Sequence, residues 1–323
     1  MSKSETQSLK RFRLLILPFL LVSNIAFSQC NCSGSSYGTG IFDQGGGFLN
    51  ENQAFSAQFS YESRFFSPHE HEDGHHHVHT SDTTAIEEAD IANLTSTNVA
   101  LIYQPSSKWL FLVQIPYLRA ASNLGVNAGN GDLSLLVGYG IIQKEKHKVF
   151  LLAGMENPTG KVMAMNENPV VQYGSGGFDP MLGISYGTIS KRWRVLSNFL
   201  YKHTAKNHHG DNMGKTIQTN VSGLYALIPS VPKCNNDSVS ELRKNISWNA
   251  GITVNWEHYG MQIQDNMNIA LSGGDLCWAG VSNILNYKKF TLPVLVSIPF
   301  YQHWQAENQL ANLRWRVGLG YTF

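Results

Sequence analysis

Trp315-Arg316-Val317-Gly318-Leu319-Gly320-Tyr321-Thr322-Phe323 closes the chain, and the class of fold follows from how these nine side chains alternate. Trp315, Val317, Leu319, Tyr321 and Phe323 are apolar or aromatic, while Arg316, Gly318, Gly320 and Thr322 fill the positions between. A two-residue period sends the two sets to opposite faces of a β-strand. One face suits lipid and the other water. A strand with this alternation and an aromatic end is the closing strand expected of a bacterial outer-membrane barrel, and the strand through which outer-membrane assembly machinery would engage it.

The other end of the sequence agrees. Lys3, Lys10, Arg11 and Arg13 precede an apolar run from Leu14 to Phe27, and Ala26-Phe27-Ser28 offers small residues at a cleavage site. This pattern predicts a signal peptide over 1–28, removed on export. The run is too short for a membrane helix of ~20 residues. About 295 residues then remain, enough for one large domain or two ordinary ones. Charged residues are 15% of the chain, against ~25% in typical soluble proteins, and aromatics reach 11%. The net charge of +1 gives no reason to expect nucleic acid as a partner. No second long apolar stretch exists, which excludes a bundle of membrane helices.

Period-2 segments between turn signals predict about twelve strands: near 52–66, 94–104, 109–118, 132–142, 148–156, 177–187, 193–201, 215–227, 246–256, 275–285, 290–300 and 315–323. Phe290, Leu292, Val294, Val296, Ile298 and Phe300 share one face of the eleventh. Connections alternate short (105–108, 143–147, 188–192, 286–289) and long (67–93, 119–131, 157–176, 203–214, 257–274, 301–311), as periplasmic turns and outer loops do. The stretch 228–244 is the exception, a long connection on the short side. A soluble β-sandwich also alternates, but it requires neither an exported leader nor alternating loop lengths. The fold expected is therefore all-β: a transmembrane antiparallel up-and-down barrel over 52–323, in the outer membrane and in contact with its lipid. Trp109, Trp193, Trp248, Trp256 and Tyr301 are expected at its interfacial girdles. Residues 29–51 form a flexible Gly/Ser/Cys segment that could enter the lumen.

Eleven of twelve histidines fall in or beside connections this topology places outside the cell. His69, His71, His75, His76, His77 and His79 crowd one loop with Glu70, Glu72 and Asp73, and His208 and His209 lie in another. Imidazole suits Zn, Cu or Ni, so these eight are the candidate metal ligands, with capture fading below about pH 6 as imidazole protonates. The bland reading is a polar outer loop that chelates weakly. His203, His258 and His303 stand near the same side, and only His147 on the other. Cys30, Cys32, Cys234 and Cys277 allow three disulfide connectivities, with a thiolate metal site and free thiols as alternatives. Parity places Cys277 facing inward. Gly/Asp/Pro phrases read as turns: Gly129, Gly131 and Asp132; Pro158, Thr159 and Gly160; Gly174, Gly176 and Gly177.

IPYLR at 115–119, GNGDLSLLVGY at 129–139, ENPTGK at 156–161, GSGGFDPMLGISYG at 174–187 and SGGDLCWAGVSNIL at 272–285 together resemble the outer-membrane barrel family of the meta-pathway of phenol degradation, part of the outer-membrane channel group. The resemblance implies a transporter or channel and brings no catalytic residues. The His-rich loop lies outside its pattern. No nucleophile motif supports an enzyme, and no cofactor is required. The expected function is a channel or transporter for small solutes, with metal ions or metal complexes collected by the His-rich loop. The alternatives are a channel for hydrophobic or aromatic molecules and a plugged barrel that binds metal at the surface. Twelve strands leave a narrow lumen, and inward candidates Glu62, Arg64, Arg194, Arg314 and Arg316 would set its selectivity.

Overall fold

The computed structural model describes residues 54–67, 91–122, 125–144, 146–162, 173–229, 246–264, 267–268, 273–304 and 310–323. The expected signal peptide, the 29–51 segment, the 69–79 histidines and Cys30, Cys32 and Cys234 lie outside them.

The strands in chain order are β1 (Ala54–Phe66), β2 (Ile91–Ser106), β3 (Trp109–Ser122), β4 (Gly125–Asn130), β5 (Leu133–Gln143), β6 (His147–Asn157), β7 (Asp179–Ser190), β8 (Trp193–Lys202), β9 (Thr216–Ile228), β10 (Ile246–Tyr259), β11 (Ile263–Gln264), β12 (Met267–Asn268), β13 (Gly274–Tyr287), β14 (Phe290–Trp304) and β15 (Ala311–Thr322). Twelve of them form one antiparallel ring, in which β1 pairs with both β2 and β15 and the extra pairing of β2 with β3 completes the circle. The twelve ring strands coincide with the twelve read from alternation. β4 is the addition. Part of the expected loop 119–131 is an antiparallel hairpin that extends β3, from Tyr117 opposite Asn130 to Ser122 opposite Gly125. β11 and β12 form a small hairpin in the 260–273 connection, bridged to Asn212 of the neighbouring loop.

Burial decides between a membrane barrel and a soluble sandwich. Ile252 is 65% exposed and Leu182 61%, while Asn220, Ser222 and Arg314 are 0% exposed. The wall is apolar outside and largely polar inside, the arrangement lipid requires. Trp109, Trp193 and Trp248 ring the short-turn end and Trp256 and Tyr301 the long-loop end, all exposed. At closure, the Phe323 amide donates to the Phe55 carbonyl (2.9 Å), and its ring lies 5.1 Å from that of Phe55 and 5.0 Å from that of Tyr321. No backbone edge is left open between β1 and β15, where the register runs from Ser56 opposite Thr322 to Phe66 opposite Ala311.

The β14–β15 seam is the sparse one. It is paired at Phe290–Thr291 and again at Val294–Ser297, but not beyond. Pro293 and Pro299 lack the amide hydrogen a ladder needs, and β14 shifts register against β13 at Cys277/Trp278. The Gln302 side chain bridges the gap, donating to the Ala311 carbonyl (2.8 Å) and accepting from the Ala311 amide (2.9 Å). Cys277 faces outward, not inward: its ladder partners Trp256 and Tyr301 are both exposed. Leu276 and Trp278 are the inward pair, and their apolar character is what makes parity misleading here. Among the described residues Cys277 has no disulfide partner.

Candidate functional site

Two charged clusters occupy the interior at the long-loop end of the barrel. Even-numbered residues of β1 and β15 point inward, which delivers Glu62, Arg64, Arg314 and Arg316; odd-numbered residues of β10 deliver Glu257 and Tyr259. Three strands separate β1 from β10 around the ring, so contact between them must cross the bore. Arg64 makes that crossing. Its two terminal nitrogens donate to the two Glu257 carboxylate oxygens at 3.0 and 3.3 Å, the bidentate fork typical of this pair. Arg314 donates to the same carboxylate at 2.7 Å, and the Tyr259 hydroxyl at 2.9 Å. Glu62 accepts from Arg64 (2.8 Å) and from Arg316 through both its Nε (2.7 Å) and its Nη2. Beneath them lies Trp278, whose ring centroid is 4.5 Å from the Arg314 guanidinium carbon and 5.9 Å from that of Arg64. Buried charges persist only when paired and hydrogen-bonded. This network meets that condition and draws a chord of side chains across the bore.

The second cluster joins three of the turn phrases. Asp132 immediately precedes β5, Glu156 is next to last in β6 and Asp179 begins β7, and oxygens of all three lie within 4.8 Å of one another. Lys202, from the end of β8, donates to Glu156 at 2.9 Å. Asp132 also accepts from the Gly160 amide (2.8 Å) and the Ser175 amide (2.6 Å), and Asp179 from the Ala205 amide (2.8 Å). A Cβ on Gly160 would fall 2.9 Å from Asp132 Oδ1, which is why the turn there carries glycine. Similarly, a Cβ on Gly129 would fall 2.9 Å from the Tyr173 ring. Chemically, the triad can share a cation, and the Lys202 ammonium supplies one. Each carboxylate also ties down a loop.

Below the acidic triad much of the inward face of β2–β8 is apolar. Ile102, Leu110, Leu136, Phe150, Leu152 and Met181 belong to one buried cluster, and Leu196, Leu224 and Ile284 form another.

The structure brings together four of the five inward candidates. Arg194 stands apart, with its side chain inward on β8 but outside both clusters. Glu257 and Tyr259 were not among the candidates, because the apolar alternation of their strand ends at Trp256. Of the metal candidates, His208 and His209 are exposed in the 203–215 connection with ring centroids 3.8 Å apart. They join no group of three ligands, and among the described residues the Asp132/Glu156/Asp179 triad is the one such group. On the outer face at the long-loop end, His258 Nδ1 lies 3.1 Å from Asp275, and His303 stands opposite Asp275 on β14. The Trp256 indole donates to the same Asp275 oxygen at 2.9 Å. His147 is at the short-turn end, its Nδ1 3.0 Å from the Tyr186 hydroxyl.

No protein-family model and no curated protein matches the chain. Among solved structures, it is similar to an outer-membrane channel from Pseudomonas putida F1, with a TM-score of 0.58 and 14% identity over 85% of this chain and 97% of the channel. LpxR from Salmonella typhimurium is matched at a TM-score of 0.45 and 6% identity, over 83% and 100%. At such identities the likeness is one of fold. The protein is a closed twelve-stranded barrel of the outer-membrane type, and its place is the outer membrane. The likeness reaches the outer-membrane channel fold and goes no further toward the phenol-pathway family.

Proposed function

We propose that the protein is a channel for small solutes, a transport barrel and not an enzyme, with histidines at its mouth collecting metal ions or metal complexes. The observation that carries the channel reading is the charged chord from Arg64 and Arg314 to Glu257 inside a closed barrel. Buried ionised groups are costly, and rings of charge are how pores sort small solutes. The same chord narrows the passage, which limits it to small species. In this reading residues 1–28 are removed on export, 52–323 form the barrel, and the Phe323 strand engages the assembly machinery.

Support for the metal part comes from placement. His208, His209, His258 and His303 all stand at the long-loop end, where β1 stops at Phe66 and β2 begins at Ile91. Neutral imidazoles there, with Asp275 beside two of them, suit Zn, Cu or Ni. A second reading, a path for hydrophobic or aromatic molecules, is favoured by the apolar inward face around Leu110 and Phe150.

Proteoliposomes swollen in isosmotic solutes of increasing size test the channel, and Zn or Cu titration of the same protein tests the metal. Small polar solutes should enter and larger ones not. Deleting 69–79 should weaken metal binding at least about tenfold. Entry of aromatic solutes alone would transfer the conclusion to the second reading. Tight metal binding without solute entry would make the protein a plugged, surface metal-binding barrel.

A further inference from the structure

The tight turns at the short-turn end form a cationic rim. Lys108 lies between β2 and β3, and Lys144 and Lys146 lie between β5 and β6, all exposed. Lys191-Arg192 joins β7 to β8 and Lys288-Lys289 joins β13 to β14, again exposed. Among the described residues of these four turns no side chain is acidic, and by sequence the turns hold one acid, Glu145. By sequence also, 29–53 and 229–245 add Asp43, Glu51, Asp237 and Glu241 against Lys233, Arg243 and Lys244, so the excess at this end stays positive. The long 67–93 connection, by contrast, carries seven acidic residues and no lysine or arginine.

The rim sits against outward-facing aromatics. Lys288 Nζ is 5.4 Å from the Tyr287 ring centroid and Lys289 Nζ 5.9 Å from that of Tyr321. Arg192 donates to the Tyr225 hydroxyl at 3.2 Å, and the Tyr225 ring lies 5.1 Å from that of Trp193. Aromatic girdles mark the headgroup level of a barrel, so these charges are held at that level. Backbone geometry adds a second sign. Lys191 and Lys288 each open a two-residue hairpin turn at φ 52°, the left-handed region where glycine, asparagine or aspartate is the usual choice. Lysine at that position twice is a local cost that the turn itself does not require. We infer that the rim binds the phosphate headgroups of anionic phospholipid, of the phosphatidylglycerol type, in the leaflet around the short-turn end. Basic side chains near a membrane surface attract anionic lipid, and Arg192 adds a fork that matches phosphate. Short turns are the periplasmic ends of such barrels, which makes this the periplasmic leaflet. The inference depends on neither conduction nor metal.

The test is the lipid preference of the refolded full chain in mixed bilayers. Tryptophan quenching by brominated phosphatidylglycerol, against brominated phosphatidylcholine, reads the relative occupancy of the barrel surface, and Trp109 and Trp193 lie beside the rim. At about 10 mM salt, where screening is weak, phosphatidylglycerol should be preferred about threefold or more, and the preference should collapse toward parity at about 1 M. Lys191→Asn with Lys288→Asn puts a residue suited to positive φ in both turns, so folding is retained, yet the preference should fall at least about 1.5-fold. Adding Arg192→Gln and Lys289→Gln should bring it near parity. Lys161→Gln with Lys215→Gln, at exposed cations of the long-loop end, should leave it unchanged. Equal quenching by the two lipids in the unaltered chain overturns the inference and would assign the rim to a soluble acidic partner. A preference undiminished by the four rim substitutions overturns it too. So does an equal fall from the Lys161 and Lys215 pair, because net charge and not the rim would then set the preference.

Discussion

Replacing Glu257 with glutamine keeps the side-chain volume and removes one of the two carboxylates described in the chord. The carboxylate holds Arg64 through two contacts of 3.0 and 3.3 Å and Arg314 through one of 2.7 Å, and it accepts from Tyr259 at 2.9 Å. In the variant, Arg64 and Arg314 lose the carboxylate they share. Removing one partner of a buried ion pair costs about 3–5 kcal/mol, chiefly because the other charge stays buried. Two pairs break together, but losses within one network do not add, and the glutamine oxygen still accepts one hydrogen bond. The expected loss is therefore about 4 kcal/mol, roughly a thousandfold in the folding equilibrium. Urea titration of the barrel folded in lipid vesicles, followed by tryptophan fluorescence, reads this as a lower midpoint at unchanged slope. Adding Arg314→Met to Glu257→Gln should recover at least about 1 kcal/mol, because the stranded cation is gone. A single-variant loss below about 1 kcal/mol would refute the claim that the chord is a paired network buried in the bore.

Lys202→Met should cost about 3 kcal/mol or more by the same assay, since Asp132, Glu156 and Asp179 then face one another without a cation; millimolar Ca²⁺ should restore part of the midpoint, and an unchanged midpoint would contradict the role given to Lys202. Gly160→Ala should cost about 1–3 kcal/mol, because the new methyl meets Asp132 Oδ1 and the Gly174 Cα, each at 2.9 Å; a neutral result would show that this turn has room. Phe323→Ala removes ring contacts to Phe55 and Tyr321 and should cost about 1–2 kcal/mol, visible as a smaller heat-modifiable fraction on a gel. Equal folding yield with and without the ring would remove Phe323 from the account of closure.

The ring itself was legible because lipid imposes a strict rule on every spanning strand. Phe290 to Phe300 and Trp315 to Phe323 could be assigned to faces without any knowledge of their neighbours, and Glu62, Arg64, Arg314 and Arg316 followed as inward by parity. Where both faces are polar or small the rule has nothing to act on. Gly-Val-Asn-Ala-Gly-Asn at 125–130 shows no apolar stripe, so β4 reads as loop. The assignment of Cys277 failed for the opposite reason. Leu276 and Trp278 look lipid-facing, yet they are buried inside, where Trp278 lies under two arginines.

The site was legible only in part, because its contacts cross the bore. Alternation tells which way a side chain points along its own strand and carries no information about the strand opposite. Glu257 could not be matched to Arg64 without the ring order that sets β10 facing β1. Asp132, Glu156 and Asp179 sit in phrases whose glycines and prolines are sufficient to read as turns, and nothing in those phrases marks the carboxylates as neighbours. The glycines do more than turn the chain: Gly160 and Gly174 give the Asp132 carboxylate room to reach two backbone amides. A carboxylate in each of three such phrases was the available signal.

Single-channel recording of the refolded full chain in planar bilayers tests the account most directly. Discrete conductance steps are predicted, with Zn or Cu on the long-loop side altering them, and the metal response lost on deletion of 69–79. A protein that inserts fully yet stays silent under voltage, with and without metal and with and without residues 29–51, would contradict the channel.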